Sequence, residues 1–204
     1  MLNGFDRVAR FYDFFARLVY GNSIVKSQVA FLHVIRPKAK VLILGGGTGW
    51  ILDHILVAQP DCEIVFIDAS ARMIGLARKK VAGKDSIEFI HGTEENIGSG
   101  SFDVVLTPFF LDMFTAESLA VIVPMISKHL NREAVWLVVD FSSREKYWQR
   151  TLLRIMYTFF CAATKIEAKS LPDWNLALTK GAWNKGESKK FYGEFIEAAV
   201  YRRS

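Results

Sequence analysis

Residues 41–49 read VLILGGGTG: Val41, Leu42, Ile43 and Leu44 run straight into Gly45, Gly46, Gly47 and Gly49, with Thr48 inside the cluster. Four apolar residues ending on turn residues predict a short strand buried on both faces, as in a parallel sheet covered by helices. Glycines behind such a strand open positive φ to the backbone and leave no side chain between its N–H groups and a ligand. The helix predicted from Trp50 adds its N-terminal partial positive charge to the same turn, which favours a carboxylate or phosphate.

Outward from this turn the chain alternates strands and helices. After a helix over about 50–58 come EIVFI (63–67), a helix over about 70–82, SIEFI (86–90), FDVVL (102–106), a helix over about 116–130 and AVWLVVD (134–140). Right-handed crossovers turn such an alternation into a doubly wound, mostly parallel α/β sheet. Upstream, Phe5, Val8, Tyr12, Phe15 and Val19 form one helical stripe, and Asn22 or Ser23 caps a second helix to about Ile35, ended by Pro37. Downstream, a helical stretch over 144–164 precedes a break at Pro172 and a short helix over 173–180. KKFY and EFIEAAVYRR then form a hairpin through Gly193 that adds an antiparallel strand at one sheet edge. That makes seven strands. Without repeats or low-complexity segments the expectation is one domain over 1–204: N-terminal helices (1–36), a core (40–141), a helical insertion (142–182) and the terminal hairpin (186–203).

The composition, 51% hydrophobic and 23% charged over 204 residues, is that of a globular core. Net charge is +5, unevenly spread: Lys and Arg number 14 against 15 acids in residues 1–140, and 12 against 6 in 141–204. A basic face in the last third suits an anionic partner or a solvated surface. Cys62 and Cys161 make no disulfide framework, and His33, His54, His91 and His129 lack metal-ligand spacing, so no metal is expected. With no apolar leader and no span-length run, a reduced cytoplasmic protein is the expectation.

The glycine turn limits its ligand. In Gly-x-Gly-x-x-Gly the third glycine falls on Trp50 counted from Gly45 and on Leu52 counted from Gly47, and no Lys follows Gly49. The turn therefore suits one small anionic group better than a pyrophosphate. Asp68, ending EIVFI, stands where a carboxylate accepts both protons of a ribose diol, or caps the helix that follows; the two roles are compatible.

VLILGGGTG, IDASARMIGLARKK, SFDVVLTPFF and AVWLVVDF, in this order, resemble the successive motifs of class I S-adenosylmethionine-dependent methyltransferases, over roughly residues 5–203. The chain is most similar to the small-molecule branch that includes the ubiquinone and menaquinone biosynthesis enzymes. The resemblance implies a Rossmann-like methyltransferase fold with an antiparallel last strand and an N-terminal helical lid, and S-adenosylmethionine as cofactor. It places Gly45, Gly46, Gly47, Thr48 and Gly49 at the methionine part and Asp68 at the ribose. Ala69, Ser70, Met73, Thr93 and Glu94 fall around the adenine, and Thr107 and Phe109 beneath the sulfonium and the acceptor. Two positions depart from the family pattern: Ile43 replaces an acid in the first strand, and Thr93 replaces an acid at the adenine.

Methyl transfer from a sulfonium needs little beyond holding the acceptor in line, worth about 7–11 kcal/mol, with a general base for less acidic acceptors. Candidate bases are Asp112, for which a helix cap or surface acid is the favoured reading, and Tyr12, which with Asp13 resembles the Tyr-Asp pair of the quinone-type lid helix; Tyr12 reads equally as core. Asp140 reads as structural. In 144–164, Lys146, Arg150 and Arg154 form a basic stripe, and Trp148, Leu152, Ile155, Met156, Phe159 and Phe160 an apolar surface. Core packing, an apolar acceptor pocket and peripheral contact with anionic lipid stay open for it. Nucleic acid is disfavoured as substrate, because TPFF stands where the base-methylating enzymes carry their Pro-Pro motif. The reading is methyl transfer to a small acceptor, an apolar one being one of the alternatives left open. Its alternatives are a catalytically degenerate cofactor binder and a nicotinamide-dependent oxidoreductase, and the oligomeric state is left open.

Overall fold

The computed structural model describes residues 21–142, 146–164, 168 and 170–203, with backbone alone for 159–164. The expected stripe from Phe5 to Val19, Tyr12 included, lies outside the described residues. Helix α1 (Ser23–Val29) is shorter than expected: Ala30 ends it, a 3-10 turn at Leu32–Val34 follows, and Asn22 occupies the N-cap position without a side-chain cap bond. Then come β1 (Lys40–Leu44), α2 (Trp50–Ala58), β2 (Glu63–Asp68), α3 (Ala71–Lys80), β3 (Ile87–His91) and β4 (Phe102–Pro108). The chain continues through α4 (Ala116–Ser127), β5 (Leu130–Phe141), α5 (Tyr147–Thr164), α6 (Trp174–Lys180), β6 (Trp183–Phe191) and β7 (Ile196–Arg203).

The seven strands form one sheet in the order β3-β2-β1-β4-β5-β7-β6. Pairings among β1 to β5 are parallel, and β7 runs antiparallel to both neighbours. The seven strands and the antiparallel last strand are as expected; within the terminal hairpin β7 pairs with β5, and β6, starting at Trp183 rather than near Lys189, is the outer strand. Trp183 explains the early start. Its side chain is fully buried, its Nε1 donates to Ser127 Oγ (2.9 Å), and its ring packs edge-on to Trp136. Similarly β5 begins at Leu130, four residues earlier than its apolar pattern suggests, where it pairs with Phe102.

The switch in strand order lies between β1 and β4, where ligands enter open α/β sheets, beyond the carboxyl ends of the strands. Both faces of the sheet are covered. Val41 and Ile43 belong to the apolar cluster under α2, α3 and α5, and Leu42 and Leu44 to the one under α4 and α6. All four are at most 1% exposed, so each contributes about 1.5–3 kcal/mol of burial and anchors the glycine turn behind it.

Candidate functional site

The glycine turn is built from three left-handed residues, Gly45 (φ 69°), Gly47 (φ 60°) and Gly49 (φ 71°), the last being the N-cap of α2. Protein atoms explain most of it. A Cβ on Gly45 would lie 2.9 Å from the Phe110 ring, on Gly46 2.2 Å from the Phe66 ring, and on Gly49 2.5 Å from Ala77 Cβ. Gly47 differs: among the described residues, a Cβ there would meet nothing within 4 Å. No described side chain packs where that Cβ would stand.

Asp68 fastens the turn. Its Oδ2 accepts from Gly47 N (2.8 Å) and its Oδ1 from Ser70 N (2.9 Å), so one carboxylate joins the end of β2 to the glycine turn and to the start of α3. Gly45 N also donates to Ile67 O (2.9 Å). Ser70, fully buried, caps α3 by accepting from Met73 N (3.1 Å). Ala69 is half-buried with its carbonyl 3.2 Å from His91 Nε2, and Met73 is 7% exposed. Thr48 is buried beneath the turn.

Across the next turn, Thr93 forms a capping box with Asn96. The Thr93 hydroxyl accepts from Glu95 N, and Asn96 Oδ1 accepts from Thr93 N (2.9 Å). Glu94 is half-buried in the 3-10 turn so formed. Thr107 is fully buried and its hydroxyl accepts from Trp136 Nε1 (2.9 Å), so its side chain serves the core. Phe109 is half-buried in the left-handed region (φ 52°), held by its N–H donating to Val139 O (2.7 Å), with its ring 5.1 Å from that of Phe141. Such a φ is uncommon for an aromatic residue and concentrates at functional sites.

Asp112 and Asp140 meet beyond the ends of β4 and β5. Asp140 Oδ2 accepts from Leu111 N (3.0 Å) and Asp112 N (3.2 Å), and its Oδ1 from Phe141 N (2.8 Å). Both side chains are buried, at 7% and 0% exposure, and each perturbs the other's ionisation. Burial pushes the Asp112 carboxyl up to about 7, and burial together with the Asp112 charge raises Asp140. Two carboxylates this close cannot both ionise cheaply, so the pair shares a proton. The three backbone donors offset only part of what burial and the facing Asp112 charge impose on Asp140. Sequence reasoning found each acid separately and missed the pairing, because the two are 28 residues apart.

Two further residues were missed. Phe110 packs against Gly45 and so joins the β4 rim to the glycine turn. Tyr157 of α5 donates its OH to Asp112 O (3.1 Å), tying the helical insertion to the same rim. Within α5, Leu153 and Tyr157 are buried, and Leu152 and Met156 pack on the core, whereas Ile155 points outward at 62% exposure. The Phe159 and Phe160 side chains lie outside the described residues.

Residues 42–136 match the family described as a methyltransferase domain. Demethylmenaquinone methyltransferase of Thermotoga maritima is 34% identical over 110 residues, 52% of this chain and 46% of that protein. The Clavibacter sepedonicus protein of the same name is 31% identical over 111 residues, 52% of this chain and 44% of its own. The chain thus spans a little under half the length of these curated relatives. Among solved structures, Burkholderia thailandensis 1,6-didemethyltoxoflavin-N1-methyltransferase superposes with a TM-score of 0.69 at 16% identity, covering 100% of this chain and 88% of that one. A methyltransferase from Aquifex aeolicus superposes at 0.67 and 15%, covering 98% of both. At these identities the structural likeness concerns the fold.

Proposed function

On the premise that the chain carries a class I S-adenosylmethionine-dependent methyltransferase domain, we propose that it transfers the methyl group of that cofactor to a small, apolar acceptor in the cytoplasm. The reading takes residues 1–204 as one domain, with 1–36 and 142–182 closing over the site, and extends to peripheral contact with a membrane that holds the acceptor. The observation that carries it is Gly47, a left-handed glycine with open space where its Cβ would stand and its N–H oriented by Asp68.

S-adenosylmethionine supplies an electrophilic methyl group on a sulfonium. The chain's part is to bind, orient and exclude water. The Gly47 backbone and the N-terminus of α2 receive the methionine end, where the helix favours a carboxylate. Asp68 takes the ribose hydroxyls, its orientation set by two backbone donors. Ala69, Met73 and Glu94 flank the base. Thr48, Ser70, Thr93 and Thr107 hold these contacts in place from behind. Phe109 and the inner face of α5 shield the acceptor, and Asp112, with Tyr12 of the lid, stands as proton acceptor for a hydroxyl or carbon acid.

Calorimetric titration of S-adenosylhomocysteine tests the premise. Micromolar-range binding to the wild type that Gly47→Ala weakens is expected; folded wild-type protein that takes up no heat would overturn the cofactor assignment. A cofactor binder without chemistry is the second reading. It is favoured by Thr93, whose hydroxyl is used as a cap where relatives carry an acid. Methyl transfer to any quinol or phenol acceptor would exclude it.

A further inference from the structure

The outer face of α5 is unlike the rest of the surface. Of the large apolar side chains exposed among the described residues, three sit on this helix: Tyr147 at 86%, Ile155 at 62% and Trp148 at 40%. At 100° per residue they share an arc with the exposed Arg150 and Arg154, cations on one flank, Ile155 and Trp148 on the other and Tyr147 between. The helix contains no Asp or Glu, and it lies in the third of the chain that holds the whole positive excess. The inner face is fully used by Gln149, Leu153 and Tyr157.

The first turn of α5 is fixed to the β6–β7 hairpin tip. Lys146 Nζ and Gln149 Nε2 both donate to Gly193 O (3.2 and 3.1 Å), and the Trp148 ring packs edge-on against Tyr192 and Phe195. The tip follows the carboxyl end of β6, which runs the same way as β1 to β5, so this face rises at the end of the sheet where the glycine turn and the acid pair lie.

We propose that the outer face of α5 docks on an anionic lipid surface. An aromatic and aliphatic strip flanked by arginines suits the headgroup boundary, the rings entering the apolar layer and the guanidinium groups meeting phosphates. The absence of acids from α5 removes the repulsion that a negative bilayer would otherwise impose. The inference deepens the apolar-acceptor reading and rests on it: an enzyme whose acceptor dissolves in lipid gains by holding its site mouth at the bilayer.

Co-sedimentation with phosphatidylglycerol vesicles, against phosphatidylcholine vesicles and across a salt series, tests it, with S-adenosylhomocysteine calorimetry run on the same preparations. The expected result is binding to the anionic vesicles that weakens with salt, and a Tyr147→Ser, Arg154→Glu, Ile155→Ser triple variant that binds them about tenfold or more weakly. All three positions are exposed, so the variant should keep its melting temperature and its cofactor affinity. Wild-type protein that ignores anionic vesicles at low salt, or binds RNA and not vesicles, overturns the proposal. A folded triple variant that binds vesicles as tightly as the wild type does the same. Vesicle failure with intact S-adenosylhomocysteine binding sinks the docking surface alone, whereas loss of cofactor binding in folded wild-type protein sinks the functional reading.

Discussion

At the ends of β1 and β2 one carboxylate, Asp68, holds two backbone N–H groups and stands beside a glycine open to space. At the ends of β4 and β5 another, Asp140, holds three, is wholly buried, and faces a second acid instead of an opening. Both devices use a side-chain acid to organise a loop at a strand end. They differ in what remains after the loop is organised: the first leaves backbone beside space that no described side chain fills, the second leaves a proton shared inside the protein. On the proposed function the first is a binding device, and the second holds the rim in shape and stores a titration near neutrality.

The largest effect that sharpens this contrast is expected at Asp140. Asp140→Ala strands the N–H groups of Leu111, Asp112 and Phe141, and unmade buried bonds cost about 1–3 kcal/mol each, so a loss of about 3 kcal/mol or more is expected in urea unfolding. A loss under about 1 kcal/mol would mean that the pair does not hold the rim.

Next come two neighbouring glycines. Gly46→Ala forces a methyl into the Phe66 ring, and overpacking of this kind costs typically about 1–3 kcal/mol. Gly47→Ala meets no atom of the described residues, so its expected cost is the left-handed penalty of about 1–2 kcal/mol, yet it fills the space assigned to the ligand on the proposed function. The order of melting temperatures should therefore run opposite to the order of cofactor affinities. Equal affinities for S-adenosylhomocysteine in Gly47→Ala and wild type would break the comparison at its stronger end.

Asp68 requires a finer probe, because it positions Gly47 and, on the proposed function, also faces the ribose. Asp68→Asn should weaken S-adenosylhomocysteine binding about tenfold or more. A 2′-deoxy analogue separates the two roles: wild type should discriminate against it and the variant should not. Discrimination that survives the substitution would leave Asp68 a loop clamp only.

These differences track what was legible in the sequence. The turn, the strand behind it and Asp68 are local: period, glycine spacing and one acid at a strand end carry them. Seven strands and the two-sided core followed from continuous apolar runs. The strand-swapped hairpin did not, because β7 pairs directly with β5 and Trp183 anchors β6 to α4, contacts between distant segments that no local pattern encodes. Ile43 is also clearer in the structure than in the sequence. It is fully buried, and a Cβ on Gly46 would lie 3.0 Å from its Cγ2 and 2.2 Å from Phe66, so an acid there would be desolvated against apolar neighbours. Thr93 reads as a missing acid by position and as a cap by geometry. The acid pair was invisible because its members come from separate strand ends.

The smallest expected effect is the pH dependence of stability, and it reports directly on that pair. Asp112 is held up to about 7, above its ordinary carboxylate range, chiefly by burial. Below about pH 4 the folded and unfolded chains both carry its proton, and the folded state has its full advantage. As pH rises from there toward 7 the unfolded chain releases the proton and the folded chain keeps it, so stability falls, and it levels once the folded pair has titrated. Wild-type melting temperature should therefore decline between about pH 4.5 and 7. Asp112→Asn removes the facing charge and lets Asp140, with its three donors, ionise at lower pH, so the decline should shrink. Parallel melting curves for variant and wild type would mean that the proton is not shared there, and Asp112 would then have to be weighed as an ordinary rim acid.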